Sequence, residues 1–432
     1  MSKPGEPPGR WRTFFFLVVG TLLVVVLLTL AVFIRLRLRV REVGRRLVSE
    51  YQTLSTARWP RPSHVDAPTP GSLAQALEPV LPELLLFRAS QSQLESRELA
   101  SCLADLQNHR PVSKLSSVCR DSLTQRRGLL HRVLRTTRTE EGGLPEALRP
   151  WSSPSEAWEG LEALFHLAAL ETRLQAEARQ AEAAVDTCLD ALALARDLGR
   201  GGGWRGAAVS TQAVDGMFEA CHTALSRASP PRLLAAGVSL RHLREGLGVL
   251  SSTLREESVS TALTDFCVLL EPGERIRLPA AFRGCSDRDP CCDPTASDTE
   301  AWLRPYTFLR QHTHDSQLAA LVDAPTPERI LGLEALERRR SSVWDAYART
   351  GWEPGSSLAD QVERQRTQLD LLLALAWVRS WRAEHDTWPS ALPELYPEHA
   401  VPPSTELKLR LGGKGTLDIF AKGTALHATV SP

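Results

Sequence analysis

The stretch from Ala181 to Gly203 reads AEAAVDTCLDALALARDLGRGGG, and it decides the fold class. Its apolar residues recur every three or four positions, the spacing that places them on one buried face of an α-helix. These residues are Ala181, Ala184, Val185, Cys188, Ala191, Leu192, Ala195 and Leu198. The glycine-rich run from Gly199 to Gly203 predicts the end of this helix, because glycine is common just beyond helix ends.

The same helical period recurs along the chain after this stretch. Three more apolar stripes are Val214, Met217, Phe218, Cys221, Leu225; Leu233, Gly237, Leu240, Leu247, Leu250, Leu254; and Val259, Leu263, Phe266, Cys267, Leu270. Further helices are predicted at Thr299 to Leu321, Pro327 to Arg349 and Leu358 to Glu384. Helices of this length with short Gly, Pro or Ser breaks predict a mainly α fold. We expect an antiparallel helical array, either α-solenoid-like or an irregular bundle.

The amino-terminal region contains a segment that can cross a membrane. Phe14 to Ile34 is a run of 21 residues without a charge, long enough as a helix to span the roughly 30 Å hydrocarbon core of a bilayer. A cleavable signal has a shorter apolar run and small residues at its cleavage site, whereas this run ends in arginines. The sequence therefore predicts an uncleaved, single-pass membrane anchor, with its helix continuing to about Leu54.

Two observations disagree about the orientation of this anchor. Six basic residues follow the run, Arg35, Arg37, Arg39, Arg41, Arg45 and Arg46, against three that precede it, Lys3, Arg10 and Arg12. This bias favours a cytoplasmic location for the large carboxyl-terminal part. Eight cysteines, three of them in one polar loop, are more typical of an oxidising compartment. We favour a bacterial inner-membrane protein whose soluble part is periplasmic, and the cytoplasmic alternative stays open.

The overall charge excludes one class of partner. The chain has 51 basic and 51 acidic residues, so it lacks the positive excess that nucleic-acid binding requires. The arginines after the apolar run are better placed to contact lipid headgroups. The expected partners are therefore the lipid bilayer and other envelope proteins, with no nucleic acid.

Changes in composition divide the chain into seven segments. These are an amino-terminal tail (1–13), the transmembrane helix (14–34), a juxtamembrane helix and Pro-rich linker (35–71), a helical array (72–270), a Cys- and Pro-rich loop (271–298), a second helical segment (299–386) and a tail (387–432). In the tail, two alternating runs, Leu407 to Leu411 and Thr416 to Phe420, flank Gly412-Gly413-Lys414-Gly415. This pattern predicts a β-hairpin.

The cysteines fall into two groups. Cys285, Cys291 and Cys292 lie in a polar loop, where a disulfide from Cys285 to Cys291 or Cys292 is one prediction and free thiols are the alternative. The acidic residues of this loop lack the ordered spacing of a calcium or zinc site. The remaining cysteines, at 102, 119, 188, 221 and 267, fall mostly on apolar helical stripes, so we interpret them as small buried residues without a redox role.

No catalytic or cofactor motif is present in the sequence. There is no Gly-x-Ser-x-Gly elbow, no His-Glu-x-x-His and no Walker loop. Gly201 to Gly203 follows a helix rather than a strand, so we interpret it as a helix cap and flexible turn and not as a phosphate cradle. Asp370, within the apolar run Leu369 to Val378, is expected at a solvent-facing edge of its helix; a buried carboxylate is the alternative.

Three minor motifs have plain structural interpretations. Cys221 and His222 are adjacent on a helix, so their side chains diverge by about 100° and do not easily form one site. The histidines of the run His312-Thr313-His314-Asp315 are expected to be exposed. Trp377, Trp381 and Trp388 form an aromatic cluster that we interpret as packing rather than as a binding surface.

The tail carries a resemblance to a known family. Trp381 to Leu395 reads WRAEHDTWPSALPEL and resembles the segment E-H/N-G-x-(Y/W)-P-x-S/T-L-x-E-L that follows the long helix of type II secretion pseudopilins. Here Asp386 replaces the usual glycine and Ala391 the hydroxyl residue. The resemblance implies that the aromatic-proline pair, Trp388 and Pro389, packs the loop back onto the helix and leads into a small sheet.

The whole arrangement is similar to that of single-pass membrane proteins of planctomycetes and myxobacteria. They combine an amino-terminal anchor, a middle pattern like that of Ala183 to Gly202, and such a tail. These proteins have no assigned activity, so the resemblance implies architecture alone. We expect a non-enzymatic interaction or scaffold protein of the envelope without a cofactor. One alternative is an accessory component of a secretion or pilus-like system, and another is an enzyme with an unrecognised site.

Overall fold

The computed structural model describes residues 9–61, 67–90, 93–107, 110–111, 114–151, 156–265, 269, 278, 298–324, 326–339, 355–392, 407–422 and 424–431. The helices are α1 (Gly9–Ser55), α2 (Leu73–Leu77), α3 (Leu81–Ser90), α4 (Gln93–Gln107), α5 (Ser117–Arg135), α6 (Glu156–Glu177), α7 (Ala181–Gly201), α8 (Gly203–Leu225), α9 (Pro230–Glu245), α10 (Leu250–Asp265), α11 (Asp298–Val322), α12 (Thr326–Arg339) and α13 (Gly355–His385). The strands are β1 (Trp59–Pro60), β2 (Thr69–Ser72), β3 (Thr139–Gly142), β4 (Leu407–Leu411), β5 (Leu417–Ala421) and β6 (His427–Val430). The mainly α fold with a small carboxyl-terminal sheet is confirmed.

The chain forms two compact units. The first contains residues 1–52, 259–314 and 342–348, and the second contains residues 53–258, 315–341 and 349–432. The apolar side chains of α1 between Phe14 and Ile34 are exposed. Among the described residues, α1 is the one helix that is long and apolar enough to cross a membrane. Later in α1 a stripe at helical spacing becomes buried, consisting of Val40, Gly44, Leu47, Val48 and Tyr51.

The core of the second unit lies among α6, α7, α8, α9 and α13. Helices α7 and α8 are joined by a single residue, Gly202, and pack on each other more extensively than any other pair of described elements. The most apolar stretch of α13, Leu369 to Val378, joins the same core. A second apolar cluster connects the beginning of α10 with α11, α12 and the first turns of α13 through Leu254, Leu318 and Leu358. The second unit therefore has one large apolar core and a second, separate apolar cluster.

The region predicted to be a linker contains two short strands. β1 pairs antiparallel with β3, with Trp59 opposite Gly142, and β2 pairs parallel with β3, with Thr69 opposite Thr139. The segment from Arg58 to Gly71 was predicted to be a Pro-rich linker that cannot hold a long helix, and none of its described residues is helical. β3 supplies the hydrogen-bonding partners that its short strands need. Residues 62–66 lie outside the described part of the chain. Ser72 then begins α2 with a capping box to Gln75.

The carboxyl-terminal hairpin has a third strand. β4 and β5 pair antiparallel from Leu407 opposite Ala421 to Leu411 opposite Leu417, and β6 adds to β5 with Ile419 opposite Ala428. Leu417, Ile419 and Ala421 are buried, as period-two alternation requires. β6 was missed because four residues with only one strongly apolar side chain give little signal.

Two predicted helix boundaries need correction. Helix α7 continues three residues into the predicted stop and ends at Gly201. The stripe predicted to run from Leu233 to Leu254 is broken between Glu245 and Leu250. Gly246 and Gly248 lie in this break against α7: a Cβ on Gly246 would lie 2.9 Å from Arg196 Cδ, and one on Gly248 would lie 2.9 Å from Gly199 O. The chain turns there because glycine permits so close an approach.

The three later predicted helices correspond to α11, α12 and α13. Residues 340–349 of the prediction for α12, and residues 266–268 and 270 of the preceding stripe, lie outside the described residues.

Candidate functional site

Charged side chains converge inside the second unit where α7 turns into α8. We call this group the buried charge cluster: Arg61, Arg149, Arg196, Arg200, Asp197 and Glu256. All of these except the half-buried Arg200 are at most 6 % exposed. Burying a charge is costly unless it is paired and hydrogen-bonded, so the pairing inside this cluster decides what it can do.

Asp197 is the central acceptor of the cluster. It is fully buried and accepts hydrogen bonds from Arg61 Nη2, from Arg196 Nη2 at 3.1 Å and from Trp59 Nε1 at 3.1 Å. Arg61 also donates to the backbone carbonyl of Thr137 and, over 3.3 Å, to Thr139 Oγ1. Burial lowers the pKa of Arg61, and the charge of Asp197 opposes this effect. The carboxylate of Asp197 is thus shared by two arginines.

The small β1–β3–β2 sheet positions this pairing. The backbone N–H of Arg61 donates to Glu140 O over 3.1 Å, which continues the pairing of β1 with β3. Trp59 lies against Gly142, where an added Cβ would be only 1.8 Å from Trp59 Nε1. The guanidinium carbon of Arg200 lies 5.1 Å from the centre of the Trp59 ring, a cation–π distance. A strand of two residues therefore places both Trp59 and Arg61 at the end of α7.

The glycine run is packed on every side. An added Cβ on Gly201 would lie 2.9 Å from Trp59 Cη2, one on Gly202 would lie 2.5 Å from Trp158 Cη2, and one on Gly203 would lie 2.6 Å from Pro150 Cγ. Gly203 also has a φ of +59°, which side-chain-bearing residues rarely adopt. The predicted helix cap is present, but the turn is held tightly instead of being free.

Two glutamates from α10 cap the beginning of α8. Glu256 Oε2 accepts the backbone N–H of Gly203 over 3.2 Å, and Glu257 Oε2 accepts that of Trp204 over 3.2 Å. Carboxylates are favourable at helix amino termini, where N–H groups lack helical partners. Burial raises the pKa of Glu256 to about 7, opposed by Arg149 and by the Gly203 N–H, and burial also raises the pKa of Glu257. The position that a phosphate would take is therefore occupied by the chain's own side chains.

A pocket of about 280 Å³, which includes its opening to solvent, adjoins the cluster. Its polar lining comes from Arg196, Ser210, Thr253 and Gln365, and its apolar lining includes Leu247 and Val362. Gln365 Nε2 donates to Ser210 Oγ over 2.7 Å. Arg196 Nη1 is buried and has no hydrogen-bond partner among the described residues.

A second pocket lies between α6 and α8. Its lining includes Glu162, Phe165, His166 and Gln212, and it encloses about 260 Å³ together with its opening to solvent. Burial lowers the pKa of His166, so this imidazole is neutral near neutral pH. A single neutral histidine with one carboxylate does not form a metal site, and the described residues contain no group of three or more His, Cys, Asp or Glu that could hold a metal ion.

The cysteines that were assigned to helix packing form disulfides. The structure joins Cys188 of α7 to Cys221 of α8, with Cα atoms 5.5 Å apart, and Cys102 of α4 to Cys119 of α5. These four cysteines are buried as predicted, but the interpretation that they have no redox role is wrong. Helices α7 and α8 fold back on each other and bring the stripes that carry Cys188 and Cys221 together. Cys285, Cys291 and Cys292, where a disulfide was predicted, lie outside the described residues, as does Cys267.

Asp370 is buried, which corrects the expectation that it faces solvent. It is 3 % exposed and pairs with Arg244 of α9, with Arg244 Nε 2.9 Å from Asp370 Oδ1. The alternative prediction, a buried carboxylate, is confirmed. Since the carboxylate is engaged by an arginine, it holds α13 on α9.

The histidine motifs remain separate from the cluster. Cys221 and His222 diverge as expected: Cys221 is bonded to Cys188, and His222 Nε2 lies 3.1 Å from Thr429 O of β6. His312 and His314 are partly buried, so the expectation that these histidines are exposed is wrong. Asp315 in the same run is buried and accepts a hydrogen bond from Ser258 Oγ over 3.0 Å.

The carboxyl end of α13 matches the expected packing of the tail. Asp386, in the place of the usual glycine, has a φ of +53°. Trp388 Nε1 donates to Gly415 O over 2.9 Å, and Arg382 lies 5.0 Å from the centre of the Trp388 ring. Trp377 is buried in the core against Gly237, and Trp381 stacks on His385. The aromatic residues thus have packing roles, and the tail connects α13 to the small sheet.

The buried charge cluster was missed by the sequence analysis. Asp190 and Asp197 are seven residues apart, so they share one face of a helix that is otherwise apolar. Asp190 pairs with Arg138 over 2.7 Å, just as Asp197 pairs with Arg61. Acidic residues repeated on a buried face were the available signal for internal ion pairs.

Comparisons with known proteins give no further identification. No known protein family matches this chain, and neither a curated protein nor a solved structure was found to match it.

Proposed function

We propose that the chain is a membrane-anchored, non-enzymatic interaction or scaffold protein of a bacterial envelope, with its helical part on the exported side of the inner membrane. The observation that carries this proposal is α1. It has an exposed apolar segment from Phe14 to Ile34 and continues without a break to Ser55. An exposed apolar surface of this length is unfavourable in water and favourable in a bilayer.

The two disulfides support export. Disulfides persist in oxidising compartments and are rare in a reducing cytoplasm. Cys188 and Cys221 are buried on facing helices, with their Cα atoms at a normal disulfide distance of 5.5 Å. The cysteines therefore support an exported soluble part, against the cytoplasmic location that the arginine distribution favours.

The pairing of the polar groups supports an interaction role over catalysis. Asp197, Asp190 and Asp370 are each engaged by arginine, and Glu256 caps α8. Groups held in this way stabilise the helical array and are not free to act as a general base or nucleophile. Stacked helices offer extended surfaces to partner proteins.

The first test is topology. Alkaline phosphatase and a fluorescent protein that is active only in the cytoplasm would be fused separately after Pro432. We expect phosphatase activity, retention of the protein in membranes after alkaline extraction, and peptides joined through Cys188 and Cys221 in a non-reduced tryptic digest. Fluorescence with reduced cysteines would refute the exported location, and release by alkaline extraction would refute the anchor.

The interaction role is tested by site-specific photo-crosslinking in cells. The crosslinker would replace exposed apolar residues of the second unit, Leu86 at 69 % exposure and Leu331 at 65 %, with exposed Glu245 as the matched polar position. We expect a discrete adduct of constant mass from at least one apolar position and none from Glu245. The absence of any protein adduct from both apolar positions would count against a scaffold.

A second candidate function is an accessory role in a secretion or pilus-like system. The geometry at the end of α13 favours it: the glycine position of the resembling motif has a φ of +53° at Asp386, and the aromatic residue Trp388 bonds the following hairpin. Deletion of residues 387–432 in the host, compared with a silent rewrite of the same codons, tests this role. We expect loss of protein secretion with the anchor and helical part still present; unchanged secretion would refute it.

A further inference from the structure

Three exposed arginines directly follow the apolar segment of α1. Arg35, Arg37 and Arg39 are exposed. In the described part of the chain, no carboxylate or carbonyl oxygen accepts a hydrogen bond from their guanidinium groups. A guanidinium group is positively charged at any physiological pH. Three positive charges therefore face outward together, immediately beyond the segment that can cross a membrane.

The arginines further along α1 are engaged by the chain itself. Arg46 Nη2 lies 2.5 Å from Glu42 Oε1, one helical turn earlier. Arg41 and Arg45 also have interactions within the chain. Glu42 is the first acidic residue after the apolar run. The first three arginines of this flank are therefore the ones whose negative partner has to come from outside the described residues.

The position of these arginines along the helix matches the polar layer of a bilayer. At 1.5 Å per residue, Arg35 lies about 1.5 Å and Arg39 about 7.5 Å beyond Ile34 along the axis of α1. The polar layer of one leaflet is roughly 5–7 Å thick, half of the difference between the whole bilayer and its hydrocarbon core. With the apolar segment in the core, the three guanidinium groups reach the level of the lipid phosphates.

The arginines point to different sides of the helix. At about 100° per residue, Arg39 lies about 40° from Arg35 around the axis, whereas Arg37 lies about 200° from it. One small anion cannot contact both sides of a helix, but lipid headgroups surround a membrane-spanning helix on every side. This arrangement favours a lipid surface over a single dissolved ion.

An exposed apolar side chain lies among the arginines. Leu38 is 58 % exposed, which is unfavourable in water but favourable where acyl chains meet headgroups. Arginine side chains can lay their apolar stems along such a surface while the charged group reaches the polar layer. The alternation of arginine and leucine from Arg35 to Arg39 therefore suits the membrane interface better than it suits an acidic protein in solution.

The chemistry of the guanidinium group favours anionic lipids. It donates two parallel hydrogen bonds to the oxygen atoms of a phosphate. In a zwitterionic headgroup an ammonium group offsets the phosphate charge, whereas in phosphatidylglycerol the phosphate is the only charged group. Each basic residue near an anionic lipid surface strengthens the association about fivefold.

We propose that Arg35, Arg37 and Arg39 bind the phosphate groups of anionic phospholipids in the leaflet that α1 leaves after Ile34. This inference rests on the proposed membrane anchor and names the lipid that the anchor selects; it holds for either orientation of the chain. The bound headgroups fix the depth of α1, because sliding the helix along its axis would draw arginines into the hydrocarbon core or out of the polar layer.

The test uses the full chain in phosphatidylcholine vesicles that contain a trace of a photoactivatable lipid. Two such lipids carry the same diazirine in the acyl chain and differ only in the headgroup, phosphatidylglycerol or phosphatidylcholine. After illumination, mass spectrometry measures the yield of lipid adducts on residues 14–39. We expect about fivefold more adduct with phosphatidylglycerol than with phosphatidylcholine, and a smaller ratio at high salt, because salt screens exposed charges.

A triple variant makes the test specific. It carries Arg35→Gln, Arg37→Gln and Arg39→Gln, which removes the three charges and keeps polar side chains of similar length. We expect nearly equal adduct yields from the two lipids. A ratio as large as that of the wild type would overturn the assignment to these arginines.

A second triple variant is the charge-matched control. It carries Arg120→Gln, Arg135→Gln and Arg179→Gln, which removes three exposed arginines of the second unit. We expect it to keep the wild-type ratio. If this control lost the preference as completely as the first variant, net charge rather than the α1 arginines would be responsible, and the proposal would be overturned.

The outcomes separate this inference from the anchor on which it rests. Adducts from phosphatidylcholine show that α1 lies in the bilayer. Equal yields from both lipids in the wild type would overturn the lipid preference, leave the anchor intact and point to an acidic protein partner for the arginines. No adduct from either lipid would refute the anchor, and this inference with it.

A last comparison distinguishes a lipid phosphate from a dissolved one. The vesicle experiment would be repeated with sodium phosphate in place of sodium chloride at equal ionic strength. We expect the same ratio of adduct yields in both salts. A ratio that falls only in sodium phosphate would show that the arginines take up the free ion, which would overturn the lipid as their partner.

Discussion

Replacing Glu256 by glutamine is expected to stabilise the protein at alkaline pH and to leave its stability almost unchanged in acid. Glu256 is 6 % exposed and accepts the Gly203 N–H at the start of α8. A glutamine has nearly the same shape, and its amide oxygen accepts the same hydrogen bond. The substitution therefore removes the charge and keeps the cap.

The magnitude follows from the pKa of the carboxyl group. Burial raises this pKa from 4.5 to about 7 in the folded protein. Between these two values the folded state holds the proton while the unfolded state releases it, so the free energy of unfolding falls as pH rises through this window. At about 1.4 kcal/mol for each pH unit of this gap, the ionised carboxylate costs about 3 kcal/mol above pH 7.

The assay is urea unfolding of the full chain in detergent, followed by tryptophan fluorescence between pH 4 and pH 8. We expect Glu256→Gln to raise the free energy of unfolding by up to about 3 kcal/mol at pH 8 and by less than about 1 kcal/mol at pH 4. The control is Glu245→Gln, because Glu245 is exposed at the end of α9. We expect no comparable change with pH there.

One result would refute this reasoning. Arg149 and Arg200 lie near Glu256 and favour its ionised form. If they keep it ionised in the folded protein, removing the charge leaves buried arginines less well compensated. Glu256→Gln would then be less stable than the wild type at pH 8, and its deficit would shrink in acid.

Three more predictions concern the packing of the second unit. Cys188→Ala removes a disulfide that closes a 33-residue separation, and we expect a loss of about 3–4 kcal/mol in urea unfolding and no disulfide-linked peptide from this pair. Gly142→Ala places a Cβ 1.8 Å from Trp59 Nε1, so we expect a loss of about 1–3 kcal/mol, against almost none for Gly413→Ala, which has open space. Asp386→Gly relieves a φ of +53°, and a thermal melt is expected to show a gain of about 0.5–1 kcal/mol; a loss would contradict this account of the tail.

The parts of the fold that the sequence predicts are those with local signals. The stripe from Ala181 to Leu198 and the uncharged run from Phe14 to Ile34 each repeat one pattern over many residues, so their helices were found. The hairpin from Leu407 to Phe420 was found because two alternating runs flank glycines. In each case all the residues that form the pattern lie close together in the sequence.

The candidate site could not be predicted because its contacts are long-range. Arg61 and Asp197 are separated by 136 residues, and Trp59 and Asp197 by 138. A strand as short as Trp59–Pro60 depends on its pairing with β3, which is distant in the sequence. The Cys188–Cys221 pair likewise depends on how two helices pack, which the period of either helix alone does not specify.

Because α1 is continuous, the number of residues between its two apolar faces determines how those faces are oriented relative to each other. The apolar segment ending at Ile34 and the buried stripe beginning at Val40 belong to one continuous helix, so the angle between the exposed apolar side chains and that stripe is fixed by the number of residues between them. One alanine inserted between them would lengthen the helix by only about 1.5 Å but rotate one part about the other by roughly 100°. Four inserted residues would restore the angle to within about 40°. If another protein binds this helix inside the bilayer, its binding would therefore depend on the number of inserted residues. Binding would be lost and regained with a period of about 3.6 residues, the repeat of the helix.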